Sequence, residues 1–246
     1  MTRHTFLSVF ALLVLALSVS QHASAQEHIS FITADSITIH GDYYSNNTPP
    51  DGLLILLHMN RSNRSVWKSF AEQAVTQRFA LLAIDFRGHG ESTHGAVSDI
   101  TFESLTNDDY ANMVNDVDGA VQWLRSKPEY AGLPMGIIGA SIGANVALAY
   151  AAEHKSISAV ILMSPGEDYR GVLAPPALQQ YGDRPCLIIL SEDDNYSSVS
   201  SRKLKEAGGE GTELFQYTTG GHGTLMFETQ SDLPERLIRY MINNLK

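Results

Sequence analysis

Cysteine is nearly missing from this chain: Cys186 is the only one in 246 residues. No intramolecular disulfide can form, so the fold must be held by its core. Cys186 lies inside the apolar stretch Pro185-Cys186-Leu187-Ile188-Ile189-Leu190, where it reads as a small buried hydrophobe and not as a nucleophile. Positive charge is also scarce. Seventeen Lys and Arg stand against 27 Asp and Glu, a net charge of −10. An acidic surface argues against nucleic acid and anionic membranes as partners. Past the N-terminus there is no apolar run long enough to span a bilayer. There is also no low-complexity tract, internal repeat or linker between domains. With 43% hydrophobic and 18% charged residues the composition is that of a globular domain, which excludes a disordered or fibrous chain.

The first 25 residues differ from the rest. Arg3 and His4 precede an apolar run over 6–19, and Ala23-Ser24-Ala25 supplies small residues in an A-x-A pattern. These features predict a secretory signal peptide over 1–25, cut after Ala25, and an exported protein, periplasmic or secreted. The run is short for a membrane anchor, and no positive residues follow it to stop transfer. No cysteine follows to carry a lipoprotein anchor. One domain over 26–246 is expected, with net charge −11, because the leader contributes Arg3 and no acid.

Apolar runs of strand length alternate with helical patterns. Strands are expected at 29–33 and 36–44 as a hairpin, then at 53–58, 79–85, 135–139, 159–163, 187–190 and 213–217. Helices are expected at 65–77, 108–125, 142–153, from about 198, and 233–244. The runs LLILLH and FALLAID are continuously apolar, as in strands buried on both faces. This alternation predicts an α/β fold: a mostly parallel twisted sheet of about eight strands with helices on both faces. Ligands bind such sheets beyond the carboxyl ends of the strands, so chemistry is sought in the loops that follow them.

Gly139-Ala140-Ser141-Ile142-Gly143 stands between an apolar strand and a helix of small residues. This is a G-x-S-x-G nucleophile elbow in its required context. A sharp strand-to-helix turn has no room for bulk beside it, and it presents the Ser141 hydroxyl above the sheet. The N–H of Ile142, at a helix start, is free to receive an oxyanion. A serine needs a base. His222, in Gly220-Gly221-His222-Gly223-Thr224, follows the last strand and is flanked by glycines. The base needs an acid to fix its tautomer. The strand ending at Leu190 runs through Ser191 into Glu192, Asp193 and Asp194, and these residues alone leave the three acids open, with Glu167 and Asp168 as another place. The chain order Ser, acid, His is the one such sheets use. A second oxyanion N–H is sought after the strand at 53–58: Asn60 first, Met59 second.

Taken together these segments resemble the α/β-hydrolase superfamily, over nearly all of the chain after the leader and in the correct order. LLILLHMN resembles the family's oxyanion segment, Asp85-Phe86-Arg87-Gly88-His89-Gly90-Glu91-Ser92 its D-x-R-G-x-G-x-S loop, and GGHGT its histidine loop. The resemblance implies Asp194 as the acid and Asn60 as the second donor. It also implies loop-shaping roles for His58, Asp85, Arg87 and His89. Met59 stands where the family usually has glycine. About twenty residues after Ser164-Pro165 leave room for only a minimal lid, as in small hydrolases similar to dienelactone hydrolases and serine aminopeptidases. Tyr169, Tyr181 and Trp67 are candidates to line the site.

The expected function is hydrolysis of carboxylic esters through an acyl-enzyme on Ser141, on a small-molecule acyl substrate, with no metal or cofactor required. A peptidase or amidase using the same Ser141, His222 and Asp194 is the alternative. A non-catalytic binding protein on the same fold is the third reading, disfavoured because candidates for every member of the triad survive.

Overall fold

The computed structural model describes residues 25–95 and 98–246. The proposed leader, all but its last residue Ala25, therefore lies outside the described residues. The expected hairpin forms from β1 (Ala25–Ile32) and β2 (Thr38–Ser45), antiparallel, with His28 opposite Asp42 and Ser30 opposite His40. The parallel strands follow: β3 (Gly52–Leu57), β4 (Phe79–Ile84), β5 (Met135–Ala140) and β6 (Ile157–Met163). A two-strand ribbon, β7 (Asp168–Tyr169) and β8 (Val172–Leu173), stands apart from the sheet. The strands β9 (Cys186–Ser191) and β10 (Thr212–Tyr217) complete the sheet. Its order is β1-β2-β4-β3-β5-β6-β9-β10, eight strands, antiparallel only at the β1-β2-β4 edge.

Every residue of β3, β4, β5 and β9 is buried. Such strands need cover on both faces, and two apolar layers supply it. On one face lie α3 (Met113–Arg125), α4 (Ile142–Glu153) and α5 (Ala174–Tyr181). The other face carries α1 (Lys68–Thr76) and α8 (Leu233–Asn244). Helix α4 is apolar on nearly every side, and its small residues let it sit at the centre of its layer. The expected helix at 108–125 is instead two: α2 (Asn107–Ala111), opened by a Thr106–Asp109 capping box, and α3, with Asn112 between them. Helix α6 (Asn195–Ala207) begins three residues earlier than expected, so Asp194 takes its N-cap position. Cys186 is buried and its thiol is pushed up to about 12 by that burial, which leaves it inert at neutral pH. Among the described residues, no helix is long and apolar enough to cross a membrane.

Candidate active site

Ser141 sits between β5 and α4 with φ 56° and ψ −123°, a conformation a non-glycine residue rarely adopts. The two glycines around it explain how the turn fits. A Cβ on Gly139 would lie 2.1 Å from the Gly143 carbonyl oxygen, and one on Gly143 would lie 2.6 Å from the carbonyl oxygens of both Leu57 and His58. The backbone is thus folded against itself and against β3. The Ser141 N–H donates to Met163 O (2.8 Å), which ties the turn to the end of β6. Ser141 itself is 5% exposed.

His222 and Asp194 meet at one point. His222 Nδ1 lies 2.6 Å from Asp194 Oδ2, with the two side chains 34% and 14% exposed. Burial alone would raise the Asp194 pKa. Hydrogen bonds from His222, Ser197 and Ser164, with the nearby His222 charge, outweigh burial and hold the carboxyl below its ordinary value. Asp193 does something else. It accepts from the N–H groups of Gly220 (3.2 Å) and Gly221 (3.0 Å) and from the Ser191 hydroxyl, and so anchors the loop that carries His222. Glu192 turns outward toward Arg202, Glu167 pairs with Lys203 (2.8 Å), and Asp168 accepts from Gly171 N–H (2.7 Å).

The histidine loop reaches the elbow through Gly223, where a Cβ would lie 3.4 Å from that of Ala140, the residue before Ser141. The Gly223 N–H donates to Ser164 Oγ (2.9 Å). Ser164, fully buried and with φ 51°, also bonds Asp194, so one hydroxyl joins the loop to the acid. Among the described residues Ser141 and His222 make no direct hydrogen bond. Tyr169 stands beside His222, its ring edge-on with centroids 6.2 Å apart. Its hydroxyl pairs with Ser197 Oγ (2.8 Å) and contacts Ser141, while Ser197 Oγ lies 3.3 Å from His222 Nδ1. Burial pushes the Tyr169 phenol up to about 12, so it stays protonated. Trp67 and Tyr181, the other aromatic candidates, are core residues. Trp67 packs on Phe70 and Phe227, and the Tyr181 hydroxyl donates to Pro185 O (2.9 Å).

The segment expected to hold the oxyanion donors follows β3. Neither the Met59 nor the Asn60 N–H has a protein acceptor among the described residues. The Asn60 side chain turns away from Ser141, taking a hydrogen bond from the Tyr110 hydroxyl (3.2 Å) and lying 3.0 Å from His89 Nε2. Met59 sulfur is 3.2 Å from where a Gly223 Cβ would stand, so this side chain fills the gap under the histidine loop. His58 locks the segment. Its Nδ1 donates to Met59 O (2.8 Å) and its Nε2 accepts from the Phe86 N–H (3.0 Å). Full burial, with His89 alongside, drives its pKa down to about 3, so it stays neutral. The loop after β4 is held from behind. Arg87 donates to Asp116 (Nε 3.0 Å, a terminal nitrogen 2.7 Å) and to Asp35 (2.6 Å).

Beside the site stands the β7–β8 ribbon, which brings Tyr169 to His222; it is short, as the spacing implied. Asn145, four residues after Ser141, holds it. Its side chain donates to Gly166 O (2.9 Å) and Val172 O (2.8 Å) and accepts from the Gly166 N–H (3.1 Å). Sequence reasoning missed Ser164, Ser197 and Asn145. Ser164 and Asn145 are single polar residues in apolar runs, and Ser197 is one serine of several in a polar stretch; no spacing rule marks any of them.

Residues 48–184 match the family described as serine aminopeptidase, S33. A monoglyceride lipase homolog of Monkeypox virus is 27% identical over 132 residues, which are 53% of this chain and 44% of that protein. The chain thus matches less than half the length of that curated relative. An esterase of Pyrococcus furiosus superposes with TM-score 0.75 at 19% identity, over 91% of this chain and 94% of its own. A dienelactone hydrolase from Anabaena variabilis gives TM-score 0.75 at 22% identity, over 92% and 100%.

Proposed function

The chain belongs to the serine aminopeptidase S33 family of α/β-hydrolases, and from that premise we propose that it cleaves carboxylic esters through an acyl-enzyme on Ser141. The observation that carries this reading is the 2.6 Å Asp194–His222 pair, brought by the Gly223 contact to the strained elbow that bears Ser141. Ser141 Oγ attacks the acyl carbon. His222 takes the hydroxyl proton on Nε2, because Nδ1 is committed to Asp194, and returns it to the leaving alkoxide. The Ile142 and Asn60 N–H groups receive the oxyanion, and each such donor is typically worth about 10²–10³ in rate. Water, deprotonated by the same His222, then releases the acid. Every step is supplied by side chains, backbone N–H groups and water.

The family's description also supports an aminopeptidase reading with the same residues. The thin cover beside the site, a ribbon of two-residue strands, favours the ester: it offers little surface for gripping a peptide. We further propose that the leader directs export, so that the reaction runs in the periplasm or the medium. A fluorophosphonate probe is expected to label the protein, and Ser141→Ala to abolish labelling. Labelling that persists in the variant overturns the nucleophile. Rates on p-nitrophenyl esters against aminoacyl-anilides separate the two substrate classes.

A further inference from the structure

Away from Ser141, at the antiparallel edge of the sheet, three side chains from three segments converge. His28 projects from β1, His40 from β2, and Glu91 from the loop after β4. The hairpin register places the two histidines diagonally across one face, since His28 is opposite Asp42 and Ser30 is opposite His40. Their rings stack, with centroids 5.5 Å apart and planes inclined by 15°. We propose that His28, His40 and Glu91 are the protein ligands of a four-coordinate zinc site whose remaining position is open to water.

The spacing of the donor atoms carries this inference. His28 Nε2 lies 3.4 Å from His40 Nδ1 and 3.4 Å from Glu91 Oε2. Zinc bonds of about 2.0–2.1 Å arranged tetrahedrally put neighbouring ligand atoms about 3.3–3.4 Å apart. The ligand atoms of the three residues all lie within 4.8 Å of one another. An outer partner is within reach. His28 Nδ1 lies 3.2 Å from Asp42 Oδ1, on a carboxylate only 10% exposed, and 3.0 Å from the Arg64 guanidinium; once Arg64 withdraws from it, Nδ1–H donates to Asp42 and leaves Nε2 as a lone-pair donor. A carboxylate behind a ligating imidazole fixes its tautomer and raises its basicity.

The local charge agrees. Asp42, Asp85 and Glu91 converge on a single cation, the Arg64 guanidinium, leaving two negative charges uncompensated. Arg64 also approaches His28 Nδ1 (3.0 Å). On metal binding it keeps Asp85 and Asp42 and yields Glu91 and His28. The bound ion would pin the hairpin to the 85–92 loop, already joined to it by the His40 N–H to Ser92 Oγ bond (2.9 Å). It would touch neither Ser141 nor His222.

The test is titration of the purified protein, produced from the full chain and stripped with chelator, with Zn²⁺ and separately with Co²⁺. One equivalent of Zn²⁺ is expected to bind, and Co²⁺ to give the intense visible absorption of a four-coordinate ion. His28→Ala, at a half-exposed position whose loss leaves the core intact, abolishes both signals, as does His40→Ala. Asp42→Asn weakens Zn²⁺ binding by about 10–100-fold, and His222→Ala leaves it unchanged. Zn²⁺ also raises the melting temperature of the parent but not of His28→Ala. Absence of saturable binding, parental binding in His28→Ala, or loss of the ion in His222→Ala overturns the site.

Discussion

Replacing Asp194 by asparagine tests the catalytic reading most directly. The substitution keeps the size of the side chain, and the Asp194 carbonyl still accepts the Ser198 N–H (2.8 Å), so helix α6 keeps its first turn. What changes is the 2.6 Å contact with His222 Nδ1. In that reading the carboxylate accepts a hydrogen bond from Nδ1–H and balances the imidazolium that forms when Nε2 takes the Ser141 proton. An asparagine amide turned to donate into Nδ1 would put the imidazole proton on Nε2, where the base must be free. Even when turned to accept, it carries no charge to balance the imidazolium. Triads of this kind lose about 10³–10⁴ in kcat on such a change, or about 4–5.5 kcal/mol of barrier at 1.36 kcal/mol per decade. The Asp194 side chain is only 14% exposed, so water does little to replace the lost charge. KM should stay within about threefold, because Asp194 acts on the base and not on the acyl group. The assay is steady-state hydrolysis of a short p-nitrophenyl ester, with the melting temperature as a folding control. Asp193→Asn is the companion. It still offers one oxygen to the Gly220 and Gly221 N–H groups, and its kcat should fall about tenfold at most. Asp194→Asn retaining more than a tenth of parental kcat, or Asp193→Asn matching its loss, would refute the assignment of the acid.

Other consequences are as concrete. Gly143→Ala drives a Cβ to 2.6 Å from the carbonyl oxygens of Leu57, at the end of β3, and His58; urea denaturation should show a loss of at least about 2 kcal/mol, and fluorophosphonate labelling should disappear. Tyr169→Phe removes the hydroxyl shared with Ser197 and Ser141. It should change kcat by no more than about tenfold while leaving the fold intact, since that hydroxyl makes one net hydrogen bond of ordinary worth. Stability should depend on pH in two stages, read by melting temperature from pH 8 to 2. His58, held near 3 by burial when folded, titrates near 6.5 when unfolded. The unfolded chain therefore takes up the extra proton, and the stability from this group is whole above pH 6.5 and drains as pH falls toward 3. Burial pushes the Asp35 carboxyl up, but hydrogen bonds from Arg87 and Thr33 more than reverse this and hold it at about 2. Its contribution is present above pH 4 and is lost between 4 and 2, and Asp35→Asn should flatten only that lower part.

The parts legible in the sequence were those written in continuous apolar runs and in glycine spacing. Leu53 to Leu57 and Phe79 to Ile84 announce strands buried on both faces. Gly139 and Gly143 announce a turn with no room beside it. The order of Ser141, Asp194 and His222 follows from the order of the strands that carry them. Helix boundaries were less visible where apolar periodicity runs through a break, as at Asn112, whose αR-like backbone ends one helix and starts the next in phase. The start of α6 was hidden because its buried face is made of Ser197, Ser198, Ser200 and Ser201, which carry no hydrophobic signal. Tyr169 is a candidate from the sequence, but the ribbon that brings it to the site is made of two-residue strands, too short for any periodicity. The convergence of His28, His40 and Glu91 depends on hairpin register and on a distant loop, and neither can be counted along the chain.

Asn145 makes the β7–β8 ribbon and the helix after Ser141 one mechanical piece. Its amide grips the ribbon at both ends with three bonds inside the protein, so the ribbon cannot swing away without stranding buried polar groups. A ribbon of this kind does not wait for an oil–water boundary to open it. Turnover should therefore rise smoothly with substrate concentration, with no jump when the ester passes from free molecules to droplets. Lengthening the ribbon between Asp168 and Leu173 would enlarge the cover while leaving its hinge points fixed, a place where new specificity can be grafted without disturbing the elbow beneath.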